Sequence, residues 1–375
     1  MSTPAVSSAL PRFVLTRPEL VVESFGARNT FKDPRVAAAA LRRGEASSLV
    51  GALPFDTAEP CSLTEPDELR KSTPPWQLPE SGVNTKSPGL GSVSPAVFEP
   101  DDDTHAKRVA EALGVIDSGK LEKIVLSRKA QVTATAPFDP HAVLGRLVRA
   151  DANGNGYLTQ LDDGATLVGS SPEVLIRRRG TTVTCHPLAG SARREPDPVR
   201  DDAVGRELLA STKDLHEHAF VIDSLRHALA PLCSELDVPA GPELTGTPQL
   251  WHLGTPITGT LNDPSITALD LALAVHPTPA VNGTPADAAM DFLRGIEPDR
   301  GFYAGTVGWC DGDGDGEWMV AIRCARISPD RHAATAYAGG GIVAGSDPSR
   351  EVSETLTKFR TVLAALGSDS ADLEW

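Results

Sequence analysis

Two apolar runs around an acidic turn decide the fold: GFYAGTVGWC (301–310) and WMVAIRCARI (318–327) enclose DGDGDGE (311–317). Valine, isoleucine and aromatic residues are typical of strands, and alternating aspartate and glycine are typical of a tight turn. The stretch therefore predicts two antiparallel strands. A further strand, ATAYAGGGIVAGS (334–346), and a terminal helix, SREVSETLTKFRTVLAAL (349–366), follow it.

Helices and paired strands also alternate before residue 301. The predicted elements are a helix over 104–119 capped by Thr104, a strand over 123–134, strands joined by turns over 165–190 with Gly180 in a hairpin, one or two helices over 201–232, a strand over 251–261 and a helix over 267–276. This order predicts an α+β fold in which antiparallel sheets are covered by helices.

The N-terminal part differs in composition from the rest of the chain, because residues 51–104 are rich in proline, serine and acidic residues. One interpretation is a flexible linker. The other is an irregular surface connection, which the apolar stretches LVGALPFD (49–56) and PAVF (95–98) favour. We therefore expect residues 1–103 to form a partly irregular segment that packs on a core of residues 104–375, the two together making one structural domain.

Composition excludes several classes of protein. The 375 residues carry 35 Lys and Arg against 50 Asp and Glu, a net charge of −15, so neither nucleic acid nor a membrane surface is the expected partner. Five cysteines without a CxxC pair predict neither a disulfide framework nor a thiolate zinc site. No leader and no membrane-length apolar run is visible, and we expect a cytoplasmic protein.

The acidic turn resembles the start of a calcium-binding loop, since Asp311, Asp313 and Asp315 fit the pattern DxDxDG. The twelfth position of such a loop is a bidentate glutamate, and here it is Ile322. The flanking segments are also predicted strands, whereas a calcium loop joins two helices. The pattern therefore favours a hairpin turn.

Two predicted helices each carry a pair of carboxylates on one face. Asp214 and Glu217 are separated by three positions, as are Glu351 and Glu354, and Lys358 follows Glu354 by one helical turn. Oxygen ligands of this kind suit Mg²⁺. From spacing alone, two solvated acidic faces remain the competing interpretation.

Nine sequence blocks, in this order, resemble the motifs of the chorismate-utilising enzymes. They are KIVLSRK (123–129), GSSPEVL (169–175), PLAGSARR (187–194), KDLHEHAFVID (213–223), LWHLGTPITGTL (250–261), AVHPTPAVNG (274–283), GFYAGTVGWCDGDGDGEWMVAIRCARI (301–327), YAGGGIVAGSDP (337–348) and EVSETLTKF (351–359). The resemblance covers about residues 104–366. It implies two stacked antiparallel sheets flanked by helices around a central active site, chorismate as substrate and Mg²⁺ as cofactor.

The same resemblance implies roles for individual residues. Lys123 matches the general base that activates water for attack at C2 of chorismate, and Glu173 matches the general acid that protonates the departing C4 hydroxyl. Glu217 and Glu354 match the direct magnesium ligands. Asp214 and Glu351 match their acidic neighbours.

Further positions match groups that contact or surround the substrate. Those that the resemblance implies are Arg323, Lys358, Tyr303, Gly339, Gly341, His252, Ala280 and Gly190. Apart from the resemblance, the glycines of 338–346 are equally compatible with a tight turn and with backbone N–H groups held close to a carboxylate.

Three features separate the branches of the family. Aminating members commonly have Gln where this chain has Lys123, and aminodeoxychorismate-forming members carry a lysine in PIKGT, where this chain reads PITGT (256–260). The block HPTPAV (276–281) resembles the isochorismate-forming branch. The resemblance thus implies conversion of chorismate to isochorismate for siderophore or menaquinone biosynthesis by a monomer without an amidotransferase subunit. Elimination of pyruvate to give salicylate is the alternative.

Overall fold

The computed structural model describes residues 9–77, 92–247 and 250–368. Residues 78–91, within the segment interpreted as a linker or an irregular surface connection, lie outside these residues. The helices are α1 Pro34–Arg42, α2 Asp102–Asp117, α3 Pro140–Ala150, α4 Pro198–Ala210, α5 Thr212–Leu229, α6 Ala268–Val275, α7 Ala286–Ile296 and α8 Pro348–Leu366.

The strands follow in chain order. They are β1 Phe13–Thr16, β2 Val21–Phe25, β3 Asn29–Phe31, β4 Ser48–Leu53, β5 Ser62–Glu65, β6 Glu68–Ser72, β7 Val97–Glu99, β8 Lys123–Thr133, β9 Gly156–Gln160, β10 Thr166–Gly169, β11 Val174–Arg179, β12 Thr182–His186, β13 Leu188–Arg193, β14 Cys233–Asp237, β15 Glu243–Gly246, β16 Leu250–Gly254, β17 Ile257–Leu261, β18 Gly283–Thr284, β19 Thr306–Asp311, β20 Gly316–Val320, β21 Cys324–Ile327 and β22 Ala333–Val343.

These strands form three antiparallel sheets. Sheet A has the order β18-β8-β22-β21-β10-β9-β1-β2-β6, with β7 also paired to β8. Sheet B has the order β14-β17-β12-β11-β20-β19-β4-β5-β3, and the small sheet C has the order β13-β16-β15. The predicted α+β class with antiparallel sheets and covering helices is confirmed.

Alternating side chains explain why the layers stack. In β1, Leu15 belongs to the apolar cluster that also contains Trp309 of sheet B. Its neighbour Val14 belongs to a second cluster that contains Phe359 of α8. Because successive strand residues point to opposite faces, sheet A is covered by sheet B on one side and by helices on the other.

The N-terminal segment contributes strands to both large sheets. Strands β1, β2 and β6 extend one edge of sheet A, and β3, β4 and β5 extend one edge of sheet B. The stretch LVGALPFD supplies most of β4, which pairs with β19. The described part of residues 51–104 is thus more regular than its composition predicts, because its short strands pair with other strands, β4 with the distant β19 and the others with strands nearer in the chain.

Three local predictions require correction. Helix α2 begins at Asp102, and its cap is Asp101, which accepts the N–H of Thr104; Thr104 is not the cap. Of the glycines of 338–346, Gly339 and Gly341 do not form a turn, because they lie within β22, opposite Ser127 and Val125 of β8, whereas Gly345 lies in the turn that follows the strand. The single strand expected over 251–261 is two strands, which join different sheets.

The stretch 301–327 crosses between the sheets. Strands β19 and β20 pair as predicted. The side chain of Asp311 accepts the N–H groups of Asp313 and Asp315, as expected of a tight turn. The chain then leaves sheet B, and β21 joins sheet A. At this crossing Arg323 adopts a left-handed conformation with φ of 51°, an uncommon backbone geometry that clusters at functional sites.

No helix in the described parts of the chain is long and apolar enough to cross a membrane.

Candidate active site

A cavity of about 400 Å³ lies where β22, β13 and β16 meet helices α5 and α8. Fourteen site residues were predicted, and thirteen of them line this cavity. They are Glu173, Gly190, Asp214, Glu217, His252, Ala280, Tyr303, Arg323, Gly339, Gly341, Glu351, Glu354 and Lys358. Residues spread over nearly 200 positions of sequence therefore converge on one space.

The fourteenth residue, Lys123, does not line the cavity itself but lies behind Glu217. It opens β8, and none of its side chain is exposed. Its Nζ is 3.0 Å from Oε1 of Glu217, which lies on α5 and lines the cavity. A buried ammonium group needs such a partner, since an isolated charge is costly to remove from water. The pair links sheet A to helix α5 at the cavity.

Glu173 enters the cavity from the side of sheet B, immediately before β11. Its Oε1 is 3.5 Å from the backbone nitrogen of Leu188, and only 4% of the residue is exposed. Burial raises the pKa of Glu173 to about 7, although the positive charges of Lys123 and Lys358 act in the opposite direction. Glu173 is therefore able to hold a proton near neutral pH.

The predicted acidic pairs lie on helices with well-defined starts. Ser211 caps α5 by accepting the N–H of Asp214. Asp347 caps α8, with Pro348 at its first position. Both caps are typical of helix N-termini. They fix the residue at which each helix begins, and therefore the position of its carboxylates along the helix.

The glycines of β22 allow these carboxylates to approach the sheet. A Cβ at Gly341 would overlap Oε1 of Glu217, and a Cβ at Gly340 would lie 3.1 Å from Oε2 of Glu351 and 3.9 Å from Oε1 of Glu354. Only glycine leaves this space free. The two helices thus bring their acidic side chains to the same part of one strand.

The acidic cluster has the properties of a cation site. Burial and the negative charge of Glu354 raise the pKa of Glu351 to about 7. Oε2 of Glu351 is buried and has no hydrogen-bond partner among the described residues. Burial and the charge of Glu217 raise the pKa of Asp214. Mutual repulsion of this kind is relieved by a bound cation.

The donor set restricts which cation fits. All four donors are carboxylates, which suit Mg²⁺ rather than zinc. Within the described residues, no three Asp, Glu, His or Cys side chains are arranged to enclose an ion by themselves. Mg²⁺ commonly uses one or two protein carboxylates and completes its shell with water and substrate, so the residues present fit that ion.

A cationic group lies beside the acidic cluster. Nζ of Lys358 donates to the carbonyl oxygen of Gly339 at 2.7 Å and lies 2.5 Å from Oε1 of Glu354. Arg323 lines the same cavity, and its guanidinium group has no hydrogen-bond or ion-pair partner among the described residues. A planar guanidinium that faces a cavity without a partner is suited to a carboxylate ligand.

Neutral polar and aromatic groups complete the lining. Burial lowers the pKa of His252 to about 3, and the charges of Arg323 and Lys358 act in the same direction, so this imidazole is neutral. Its Nε2 has no partner in the described structure. Tyr303 stacks on Tyr337 with ring centroids 5.0 Å apart. The cavity therefore offers both a neutral donor or acceptor and an apolar wall.

Sequence reasoning missed other lining residues. Lys213 lies 3.4 Å from Glu351, and Arg350 also lines the cavity. Both adjoin predicted residues in the chain, so their positions beside the acidic pairs could have revealed them. Leu188 and Val125 gave no such signal, because a single apolar residue in a strand is normally part of a core.

The geometry supports a specific kind of chemistry. A buried carboxyl group that is protonated near pH 7 and a lysine held against a carboxylate come from opposite sheets. An acidic cluster and a partnerless arginine line the cavity between them. Such an arrangement can bind an anion through cations while a proton is removed at one point and supplied at another.

Comparisons with known proteins identify similar sequences. The family model described as chorismate binding enzyme matches residues 80–367. The isochorismate synthase MenF assigned in Mycobacterium tuberculosis (strain H37Rv) is 49% identical over 368 residues, which cover 95% of this chain and 96% of that protein. Isochorismate synthase DhbC of Bacillus subtilis (strain 168) is 45% identical and covers 88% of this chain and 85% of that protein.

A solved structure is also similar over its whole length. The crystal structure of DhbC from Bacillus anthracis, assigned as a 2,3-dihydroxybenzoate-specific isochorismate synthase, has a TM-score of 0.87 and 37% identity. The match covers 97% of this chain and 98% of that chain. The similarity therefore extends to the N-terminal strands and is not confined to the cavity.

Proposed function

The chain belongs to the chorismate-binding enzymes, and we propose that within this family it is a magnesium-dependent isochorismate synthase. The proposed reaction adds the oxygen of a water molecule at C2 of chorismate and expels the C4 hydroxyl group as water, while the ring double bonds shift. The product is an isomer of the substrate, and the reaction is reversible.

The single observation that carries this proposal is the state of Glu173. A carboxyl group with a pKa near 7, buried in the lining of the cavity, is suited to protonate a departing hydroxyl group at physiological pH. A fully ionised surface carboxylate has no proton to give. Binding alone would not require a carboxyl group in this state.

Lys123 is the proposed base. It opens β8, and its amine is 3.0 Å from Oε1 of Glu217, which lines the cavity. An amine that has released its proton can accept one from the attacking water. In the reverse reaction the two groups exchange roles, so Lys123 donates and Glu173 accepts.

Chorismate carries two carboxylates, which an acidic protein of charge −15 must neutralise locally. We assign Arg323 and Lys358 to that task, together with the backbone of Gly339 and Gly341. Supporting this role, Arg323 has no ion-pair partner among the described residues. His252, Ala280, Gly190 and Tyr303 are proposed to shape the space around the ring.

Magnesium is the proposed cofactor. Glu217 and Glu354 would hold it directly, with Asp214 and Glu351 beside them, and the bound ion would neutralise the ring carboxylate of the substrate. The partnerless oxygen of Glu351 and the mutual repulsion within the cluster support this assignment. The chain's own carboxylates also position Lys123, through its contact with Glu217.

The assembly proposed is a monomer that needs no amidotransferase subunit, because water and not ammonia is the nucleophile. All five cysteines are free thiols, which suits a reducing compartment such as the cytoplasm. Isochorismate would then feed siderophore or menaquinone biosynthesis.

Product analysis tests the function. The protein is incubated with chorismate and Mg²⁺, and the products are separated by chromatography. Isochorismate alone is expected. Salicylate with pyruvate would instead assign the elimination reaction, anthranilate formed with ammonia would assign amination, and unchanged chorismate would contradict enzymatic activity on this substrate.

A further inference from the structure

One edge of the strand that carries Lys123 is incompletely paired. Along its other edge, β8 pairs with β22 over its whole length. On the incompletely paired edge, β18 pairs with Lys123 and Ile124, and β7 pairs with the stretch from Lys129 to Gln131. The backbone groups of β8 between these two short strands need other partners, because buried N–H and C=O groups are costly to leave unpaired.

A buried ion pair fills part of this gap. Nη2 of Arg300 donates to the carbonyl oxygen of Val125 at 2.6 Å. Oε1 of Glu297 accepts the N–H of Ser127 at 2.5 Å, and its Oε2 accepts the Ser127 hydroxyl at 2.7 Å. The two side chains are 2.7 Å apart, and each is only 3% exposed. They occupy the place that a neighbouring strand would take.

The same arginine holds a second wall of the cavity. Its Nη1 donates to the carbonyl oxygen of Val281 at 2.8 Å. Val281 and its neighbour Ala280 line the cavity. Arg300 therefore connects the strand of the proposed base to the segment that lies against the substrate space, through two charge-assisted hydrogen bonds.

Further contacts fix the ion pair itself. The guanidinium of Arg300 lies over the ring of Phe55, 4.4 Å from its centroid. The carbonyl oxygen of Arg300 accepts the N–H of Tyr303 at 3.1 Å. The N-terminal segment, through Phe55, and the proposed substrate contact Tyr303 thus meet at one residue.

Stability alone is a weak reason for such an arrangement. Replacing a buried ion pair by apolar residues is often neutral or stabilising, because both charges must be removed from water. A strand or a short loop could also satisfy the edge of β8. The ion pair adds the rigid, planar guanidinium group of Arg300, which fixes the position of β8 relative to Val281.

We infer that Glu297 and Arg300 are positioning residues for the reaction. They act through the backbone of β8 to place Lys123, and Arg300 also acts through Val281 to shape the substrate space. This inference rests on the proposed function, because it assumes that Lys123 is the base.

Two conservative variants separate the two actions. Glu297→Gln keeps the size but has one acceptor oxygen for the two donors of Ser127, so we expect kcat to fall about 10- to 100-fold with little change in KM. Arg300→Lys keeps the charge but cannot reach Val125 and Val281 together, so we expect kcat to fall about as far and KM for chorismate to rise severalfold. A purely structural role would not produce this split.

The control is Arg294→Lys in the last turn of α7, the helix that ends just before Glu297. Arg294 pairs with Asp56 at 2.7 Å and is half exposed, so the variant should retain wild-type kcat and KM. All kinetics are measured at a temperature where circular dichroism shows fully folded protein. If a variant does not fold, Ser127→Ala, which removes only the hydroxyl donor, should lower kcat less than Glu297→Gln and leave KM unchanged.

The possible results are distinct. Wild-type kcat in the folded variants, or activity that falls only in proportion to the folded fraction, would overturn the inference. Lys123→Ala is assayed alongside. If Lys123→Ala retains activity, Lys123 is not the catalytic base and the proposed function is contradicted. If Lys123→Ala is inactive while Glu297→Gln and Arg300→Lys are unaffected, only the positioning role is contradicted.

Discussion

Nζ of Lys123 lies 3.0 Å from Oε1 of Glu217, so the proposed base and a proposed metal ligand are in direct contact. Neither charge is isolated, which makes the burial of both possible. The contact also joins the two functions of the site. A change in the lysine should therefore affect the carboxylate that faces the metal position.

The variant Lys123→Ala tests both sides of this contact. We expect turnover to fall by about 10²- to 10⁴-fold, the range that general base catalysis contributes. Mg²⁺ binding, measured by calorimetry, should persist or strengthen, because Glu217 loses a competing cation. Lys107→Ala on α2, an exposed lysine, is the matched control. Loss of Mg²⁺ binding in Lys123→Ala would contradict this account of the pair.

Glu173 predicts a pH dependence. Burial raises its pKa to about 7, so the protonated form needed for catalysis disappears as the pH rises above that value. We expect log kcat/KM to fall with a slope of about one per pH unit on the alkaline side of 7. Glu173→Gln should be inactive at every pH. A flat profile from pH 6 to 9 would exclude Glu173 as the acid.

The same shift predicts an effect on stability. Because the folded-state pKa of Glu173 lies above its unfolded value, the group favours the folded state most at low pH, and this contribution is lost as the pH rises through about 7. Glu173→Gln, which cannot ionise, should therefore gain thermal stability relative to the wild type as the pH rises from about 4.5 to about 7, with no further gain above pH 8. Parallel melting curves across that range would contradict the burial argument.

Gly341 predicts a steric requirement at the metal position. A Cβ there would overlap Oε1 of Glu217, so Gly341→Ala should displace that carboxylate and weaken Mg²⁺ binding about tenfold or more. Calorimetric titration with Mg²⁺ measures this without any turnover. Gly114→Ala is the control, since nothing lies near its Cβ in α2 and alanine should stabilise that helix by about 0.5–1 kcal/mol. Equal Mg²⁺ affinity in both variants would refute the assignment.

Arg323 predicts a loss of substrate affinity. Arg323→Lys keeps the charge but loses the planar fork, so we expect KM for chorismate to rise by about tenfold to a hundredfold, in line with about 1.5–3 kcal/mol for a charged hydrogen bond. Arg326→Lys, at an exposed arginine paired with Asp163, is the control. An unchanged KM in Arg323→Lys would remove this residue from the substrate site.

Much of this site was predictable from the sequence, because most of its residues lie within short sequence motifs. The spacing of Asp214 and Glu217 along one helix, and of Glu351 and Glu354 along another, already placed each pair on one face. The alternation around 301–327 predicted the β19–β20 hairpin correctly. Local pattern is sufficient where a function depends on neighbours in the chain.

Most of the errors and omissions come from contacts between residues that are distant in the sequence. The glycines at 339–341 resemble a turn by composition, yet they belong to β22 because a strand partner, β8, lies about 210 residues earlier in the chain. The Glu297 contact with Ser127 spans 170 residues and gave no local signal. Asp101 was overlooked as a cap because Thr104 is an equally suitable residue type. Contacts distant in sequence decided the first two cases, whereas the cap was a choice between two nearby residues.

The most direct test of the central claim uses water labelled with ¹⁸O. The enzyme is incubated briefly with chorismate and Mg²⁺ in H₂¹⁸O, and isochorismate is analysed by mass spectrometry. Attack by water at C2 predicts one ¹⁸O atom per molecule of isochorismate, located at C2. Isochorismate without label would show that the hydroxyl group moves within the substrate, and the proposed roles of Lys123 and Glu173 would be wrong.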